Sequence, residues 1–354
     1  MERRRWAFFS GLLNEMRAGV YYRNSDLRVE ERPRPVVGPG EILVRIAASG
    51  VCGSDVVEWY RIKKAPLVLG HEVAGTVAEV GPGVTAWRVG DRVVVTHHVP
   101  CNTCPACLGG HHTACETLHT TNFDPGGFCE YVRVPALQTD RGVFRLPDEV
   151  SFDEGTFAEP LGCVVRAQRL ARIGPGDAVL VMGSGISGLL HIALARALGA
   201  GTVLATDVNP WRLEAALRFG AAAAFAAGAD VPARVAAATR GRMADRVIVC
   251  TGALPAVSQS MHLVAAGGTV LFFGAPDQDG GACIPFPEIW RREITLQTSY
   301  GAAPGDLAIA VELIRARRVP VAEMVTHRFP LEGLGEAFRA VAEGGESIKV
   351  IVEP

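Results

Sequence analysis

The chain has 354 residues, enough for two domains with sizeable cores, and its 49% hydrophobic and 20% charged content is that of a water-soluble globular protein. Its 35 basic and 37 acidic residues nearly cancel, which speaks against a nucleic-acid or anionic-membrane partner held by bulk charge. No apolar run is long enough to cross a bilayer.

The first stretch, MERRRWAFFSGLLNE, has three arginines ahead of a short apolar run, as a signal peptide does. Asn14 and Glu15 break that run and no small-residue cleavage site follows, so it reads as an upstream extension or as a chain starting at Met16. From Ala18 to about Val134 the pattern is β: 42-ILVRIAA-48, 73-VAGTVAEV-80 and 92-RVVVT-96 are β-branched runs bounded by Gly, Pro and Asp turns.

Within that region 50-GVCGSD-55 and 70-GHE-72 offer a thiolate, an imidazole and a carboxylate at Cys52, His71 and Glu72. That donor mix suits a catalytic zinc with one open position. Taken singly, a cysteine and a histidine this far apart are by default a core thiol and a satisfied imidazole. Next comes 101-CNTCPACLGGHHTAC-115, a loop broken by Pro105, Gly109 and Gly110. Its spacing is C-x2-C-x2-C-x7-C at Cys101, Cys104, Cys107 and Cys115. An iron–sulfur run would have a three-residue last gap and a following proline, so a closed zinc site of four thiolates fits better. His97, His98, His111 and His112 then read as solvated loop residues. Such a lobe is structural, because four thiolates leave no position for a substrate. A further carboxylate, Glu159, stands in 158-AEPLGCVV-165, where the β-rich part ends.

After about Phe152 short apolar strands alternate with Ala- and Leu-rich helical segments: 178-AVLVMG-183, 189-LLHIALARALG-199, 203-VLATD-207, 211-WRLEAALRFG-220, 246-RVIVC-250 and 269-TVLFFG-274. That alternation predicts a parallel sheet with crossover helices. The cluster 221-AAAAFAAGA-229 reads as a small-residue strand and turn, and 307–318 and 334–345 as helices before a last strand at 348–352. Between the first strand and helix of this region lies 183-GSGISG-188, with Gly183, Gly185, Ile186, Ser187 and Gly188 placed to receive a pyrophosphate at a helix N-terminus. Asp207 closes the next strand, where an acid accepts from both ribose hydroxyls and repels a 2′-phosphate, so NAD is expected over NADP. Arg212 lines the adenine side or caps the following helix. Nine cysteines in so long a chain are not a disulfide scaffold; Cys129, Cys163, Cys250 and Cys283 read as buried thiols in a reducing, cytoplasmic setting.

The motifs GVCGSD, GHE, the four-cysteine lobe, AEPL, GSGISG and Asp207 stand in the order of the zinc-containing medium-chain alcohol dehydrogenases, and the chain resembles that family over about residues 16–354, most of all its sorbitol/polyol and threonine dehydrogenase branch. The resemblance implies an α/β protein: a GroES-like β-rich catalytic domain of residues 16–164 and 300–354, and a doubly wound Rossmann domain of 165–299. It implies a catalytic zinc at Cys52 and His71, with Glu72 and Glu159 sharing or exchanging the carboxylate role, and a structural zinc in the lobe. It places Cys250, Thr251 and Gly274 beside the glycine turn as cofactor contacts, and it suggests a homodimer or homotetramer. The implied reaction is oxidation of a secondary alcohol to a ketone, with hydride passing to NAD and Ser54 taking the hydroxyl proton. Threonine enzymes usually carry a threonine and a histidine after the cysteine; CGSDVVEWY here favours a polyol, sugar or cyclitol, with an amino alcohol as the alternative.

Many relatives also hold a histidine three residues beyond the relay hydroxyl, where this chain has Val57. Glu58 is then the nearest titratable group besides Asp55, which is expected in a structural hydrogen bond; proton exit through Glu58 or through water alone are equal readings. Trp59, Phe123 and Tyr300 are pocket walls or plain packing. Two rivals fall away. A zinc-free quinone reductase lacks Cys52, His71 and the lobe, and a zinc-ribbon nucleic-acid binder needs basic charge that residues 97–125 do not have.

Overall fold

The computed structural model describes residues 15–274 and 281–354, so the reading of the first fourteen residues lies outside it. The chain divides into two compact units, one running to Glu159 and taking in Ala303–Val311 and Ala322–Pro354, the other comprising Pro160–Ala302 and Glu312–Val321. Its strands are β1 (Glu15–Arg23), β2 (Asp26–Pro33), β3 (Ile42–Val51), β4 (Leu67–Val68), β5 (Glu72–Val80), β6 (Arg92–Val95), β7 (Tyr131–Val134) and β8 (Val143–Arg145). They continue as β9 (Ala178–Met182), β10 (Thr202–Asp207), β11 (Ala223–Ala226), β12 (Ala244–Val249), β13 (Val264–Phe272), β14 (Thr295–Thr298), β15 (Val325–Pro330) and β16 (Lys349–Glu353). The longer helices are α1 (Ala158–Leu170), α2 (Ile186–Ala197), α3 (Pro210–Arg218), α4 (Val231–Ala238), α5 (Leu254–Leu263), α6 (Pro304–Arg315) and α7 (Leu334–Glu343).

In the first unit a seven-stranded sheet runs β15-β16-β3-β5-β6-β8 with β7 also on β3, beside a three-stranded sheet β2-β1-β4. Alternation on β3 and β5 sends Ile42, Val44, Ile46, Val73 and Val77 into one core. A second core gathers Tyr21, Phe128 and Phe338 of α7. Registers matter for the chemistry. Gly50 of β3 faces Ile351 of β16 on one side and Glu72 of β5 on the other, so the chain's last strand and the GHE motif flank the same residue of β3.

The second unit is the expected parallel sheet, ordered β11-β10-β9-β12-β13-β14. The order steps outward from β9 in both directions, the doubly wound pattern that opens a crevice at the carboxyl ends of the strands. β9 is buried along its whole length, as a central parallel strand covered on both faces must be. The alanine cluster does form β11. The edge strand β14 was not foreseen, because TLQT has no apolar run to mark it.

Inside this unit His191 of α2 is fully buried. Gln168 of α1 donates to its Nδ1 at 3.2 Å, and its ring meets Phe273 edge-on at 4.6 Å. Burial pushes this imidazole down to about 3. An unfolded histidine titrates near 6.5, so between pH 6.5 and about 3 only the unfolded chain takes the proton. His191 therefore contributes nothing adverse above pH 6.5 and costs up to a few kcal/mol as pH falls through that window. Melting temperature is expected to drop on acidification, and His191→Met to flatten the drop; equal slopes for the two proteins would refute the assignment.

Candidate active site and metal centres

β3 ends at Val51 and hands Cys52 to a tight turn; β5 begins at Glu72, directly after His71. Ligand atoms of Cys52, His71 and Glu72 lie within 4.8 Å of one another. Asp55 organises the group. It is fully buried, accepts the Cys52 backbone N–H at 3.1 Å, and lies 3.4 Å from His71 Nδ1. A histidine whose Nδ1 is held by a carboxylate presents Nε2 to a metal, with its tautomer and ring orientation fixed. Burial works against charge on His71, yet Asp55 and Cys52 hold its pKa well above the ordinary imidazole value. The donor set of soft sulfur, oriented imidazole and neighbouring carboxylate fits zinc.

Glu72 has a second partner. Its carboxylate is paired with the Lys349 ammonium, and both side chains are sealed from solvent at 2% and 1% exposure. Phe157 lies 5.0 Å beneath that ammonium. The carboxylate beside Cys52 and His71 is thus charge-compensated from β16, by a partner that no local motif marks. Glu159, in the first turn of α1, is half-buried and outside the set formed by Cys52, His71 and Glu72.

Ser54 lies two residues from Cys52, with its hydroxyl 3.4 Å from Cys52 Sγ. The group nearest its oxygen is not Glu58. Arg61 donates to Ser54 Oγ at 2.9 Å, while Glu58 is exposed and accepts the Asn24 backbone N–H at 3.2 Å. The geometry therefore gives the Glu58 relay no contact and favours exit through water. His97 and His98 depart from the solvated reading. Both are half-buried, and the His97 ring is 4.8 Å from His71 and 3.6 Å from His98. Burial first, then the neighbouring imidazoles, hold His97 well below its usual pKa and His98 down to about 3, so both are neutral. His97 Nδ1 is buried with no hydrogen-bond partner among the described residues. Phe123 is a core side chain, whereas Trp59 and Tyr300 are exposed.

In the lobe the four thiols converge. Cys101 Sγ is 4.0 Å from that of Cys107 and 3.6 Å from that of Cys115, against about 3.8 Å for sulfurs set tetrahedrally round zinc. Backbone N–H groups of Thr103 and Cys104 point at Cys101 Sγ, and that of Cys101 at Cys115 Sγ. Such donors stabilise thiolates, and Cys101 is brought down to about 5 by hydrogen bonds from Thr103 and Cys104. The sulfurs sit on Leu118, and Arg141, at the end of the short helix Ala136–Arg141, donates to the carbonyls of Pro100 and Cys101 at the start of the lobe. Four convergent thiols with no open face fit a structural zinc. Of the remaining cysteines, Cys129 is buried, Cys163 and Cys250 are half-buried, and Cys283 is exposed, contrary to the expectation of a buried thiol.

The glycine motif 183–188 lies between β9 and α2, the strand-to-helix turn expected of it. Gly183 takes φ +94° as the chain leaves β9, and a side chain on Gly188 would strike the Gly183 carbonyl. Both positions therefore need glycine. Gly185 caps α2, whose first residues are Ile186, Ser187 and Gly188. Asp207 ends β10; its two oxygens accept the Ser184 and Asn209 N–H groups at 2.7 and 2.8 Å. The carboxylate is thereby fixed, with further lone pairs left on each oxygen. Arg212 Nη1 stands over the glycine turn, 3.8 Å from where a Cβ on Gly185 would be. Cys250, Thr251 and Gly274 crowd the other side, at the ends of β12 and β13.

Comparison with known proteins agrees with this geometry. Residues 38–148 match the alcohol dehydrogenase GroES-like domain and 187–316 the zinc-binding dehydrogenase domain. The chain is 34% identical to the sorbitol dehydrogenase of Gallus gallus over 348 residues, spanning 95% of this chain and 96% of that protein. It is 29% identical to galactitol-1-phosphate dehydrogenase of Escherichia coli, with a TM-score of 0.85, covering 96% of this chain and all of the other. A protein of Sinorhizobium meliloti 1021 solved with NADP bound gives 29% identity and a TM-score of 0.86 over 96% and 99% of the two chains. With near-complete coverage and matched domains in both units, the chain belongs to the zinc-containing medium-chain alcohol and polyol dehydrogenases, oxidoreductases acting on CH–OH groups.

Proposed function

We propose that the chain oxidises a secondary hydroxyl of a polyol, sugar or cyclitol to the ketone, reversibly, with NAD as acceptor. The observation that carries the reading is the cluster of Cys52, His71 and Glu72 with Asp55 on His71 Nδ1. On this reading one zinc is held by Cys52 and His71 with carboxylate from Glu72 or Glu159, and a second by Cys101, Cys104, Cys107 and Cys115. When bound, zinc supplies the Lewis acidity that makes a hydroxyl acidic at neutral pH, and the dinucleotide supplies the hydride acceptor. The residues do the rest. Asp55 holds His71, Ser54 offers a hydroxyl for the proton beside Cys52, and Gly183 to Gly188 receive the pyrophosphate, with Arg212 beside the turn lining the adenine side. The similarity to a sorbitol dehydrogenase supports a polyol over an amino alcohol. A panel of linear polyols, cyclitols and amino alcohols with NAD, followed by reduced-nicotinamide absorbance, tests it; turnover confined to amino alcohols would overturn it.

The choice of NAD rests on Asp207, whose fixed carboxylate would face a 2′-phosphate. Asp207→Asn keeps the shape and removes the charge, at the loss of one of the two backbone N–H groups that the carboxylate accepts. It is expected to narrow the NAD-over-NADP ratio of kcat/KM about ten- to a hundredfold, since like charges so placed cost several kcal/mol. An unchanged ratio would remove Asp207 from the ribose site.

A homodimer or homotetramer is supported by the edge strand β14 and by Phe286 and Trp290 near it, exposed at 68% and 72%. A reducing, cytoplasmic location is supported by nine cysteines without a disulfide among the described residues. No helix of the described residues is long and apolar enough to cross a membrane.

A further inference from the structure

Arg61 ends the short helix Glu58–Arg61, which starts after Val57. Its guanidinium donates from Nε to the Ser54 carbonyl at 3.0 Å, from Nη2 to Ser54 Oγ at 2.9 Å, and from Nη2 to Asp55 Oδ1 at 3.2 Å. The Tyr60 ring packs against it at 4.8 Å. One planar fork thus touches the hydroxyl and the carboxylate that flank Cys52 and His71.

We propose that Arg61 is a positioning residue with two targets, orienting the Ser54 hydroxyl directly and the His71 imidazole through Asp55. The proposal rests on the assignment of zinc to Cys52 and His71. A guanidinium can only donate, so the Ser54 oxygen accepts from Arg61 and its single O–H must point elsewhere. The other group within reach is Cys52 Sγ, at 3.4 Å; the hydroxyl proton is therefore turned toward the ligand cluster. Asp55 Oδ1 is shared between Arg61 and His71 Nδ1. A carboxylate buried this deeply is costly without a fixed counter-charge, and Arg61 supplies one while fixing the oxygen that holds the imidazole. The family motif names Cys52, Ser54, Asp55 and His71; it does not name the arginine that joins them.

The plain alternative is that Arg61 merely stitches the 52–64 loop together. Arg61→Met and Arg61→Lys in the zinc-loaded protein separate the two. Arg61→Met should surrender the Cys52–His71 zinc to a chelator about ten- to a hundredfold more readily, the usual effect of losing an outer-shell partner. The lobe zinc should be retained and so serves as an internal control. kcat should fall more than KM, and methylguanidinium in solution should partly restore both kcat and zinc retention. Arg61→Lys, which keeps the charge but not the fork, should lie between. In a Ser54→Ala background the kcat effect of Arg61→Met should shrink while the zinc effect persists, since the two targets are separate. Wild-type zinc retention and turnover in Arg61→Met would overturn the proposal. So would a lowered melting temperature with loss of both zincs and no methylguanidinium rescue, which is the stitching role alone. A wild-type protein that holds zinc only in the lobe would instead refute the zinc assignment itself.

Discussion

Cys52→Ser is expected to leave a folded protein with one zinc per chain and turnover reduced at least about a thousandfold. The two candidate ligand sets share no residue, so the loss should be local. Cys52 is half-exposed at the mouth of a turn whose shape is set by backbone contacts of Cys52 and Asp55, and serine preserves both. A neutral hydroxyl is a poor zinc ligand, and His71 with a Lys349-paired Glu72 does not replace the thiolate. Lewis-acid stabilisation is worth several kcal/mol, and each 1.36 kcal/mol is about tenfold in rate. Cys104→Ser should do the reverse: it loosens the lobe around Leu118 and lowers the melting temperature while the Cys52 site keeps its donors. Elemental analysis, melting curves and initial rates on both variants give the check. Full activity with a single zinc in the wild type would sink one of the two metal assignments.

How much of this was legible in the chain follows from what a sequence can display. Contiguous signals were readable: the glycine turn, the four-thiol spacing, GVCGSD and GHE each carry their chemistry within a few residues. The alternation of short strands with Ala-rich helices gave the parallel sheet for the same reason. The compensating charges were not readable. Lysine occurs only at positions 63, 64 and 349, yet nothing in the sequence marks Lys349 as the one that is buried. Its meeting with Glu72 depends on β16 adding to β3, and β3 to β5, in one register across 277 residues. Arg61 was equally hidden, because a guanidinium three residues beyond Glu58 can turn outward or back along the loop, and only the fold decides. His97 and His98 read as loop residues from their position beside the cysteines; the crossing of that loop over His71 is a tertiary fact. Cys283 failed in the opposite direction, since small apolar neighbours do not guarantee burial.

Lys349→Met should cost about 3–5 kcal/mol and lower the melting temperature by about 10 °C. Methionine fills nearly the same volume, so the loss is not a cavity. It comes from Glu72, left as a carboxylate at 2% exposure with its counter-charge removed. An ion pair this deep gives little net stability relative to an apolar pair, because taking both charges out of water offsets their attraction; breaking it strands one charge. That asymmetry makes the test specific. Glu72→Leu combined with Lys349→Met should recover most of the lost stability, although neither change does so alone. Melting must be measured after chelation as well as with zinc, since a Glu72 freed from Lys349 can turn to the Cys52–His71 metal and mask the penalty. In the chelated protein that escape is closed and the full cost should show. A Lys349→Met protein that melts within a degree or two of wild type after chelation would mean that Lys349 is not what holds Glu72 in solution.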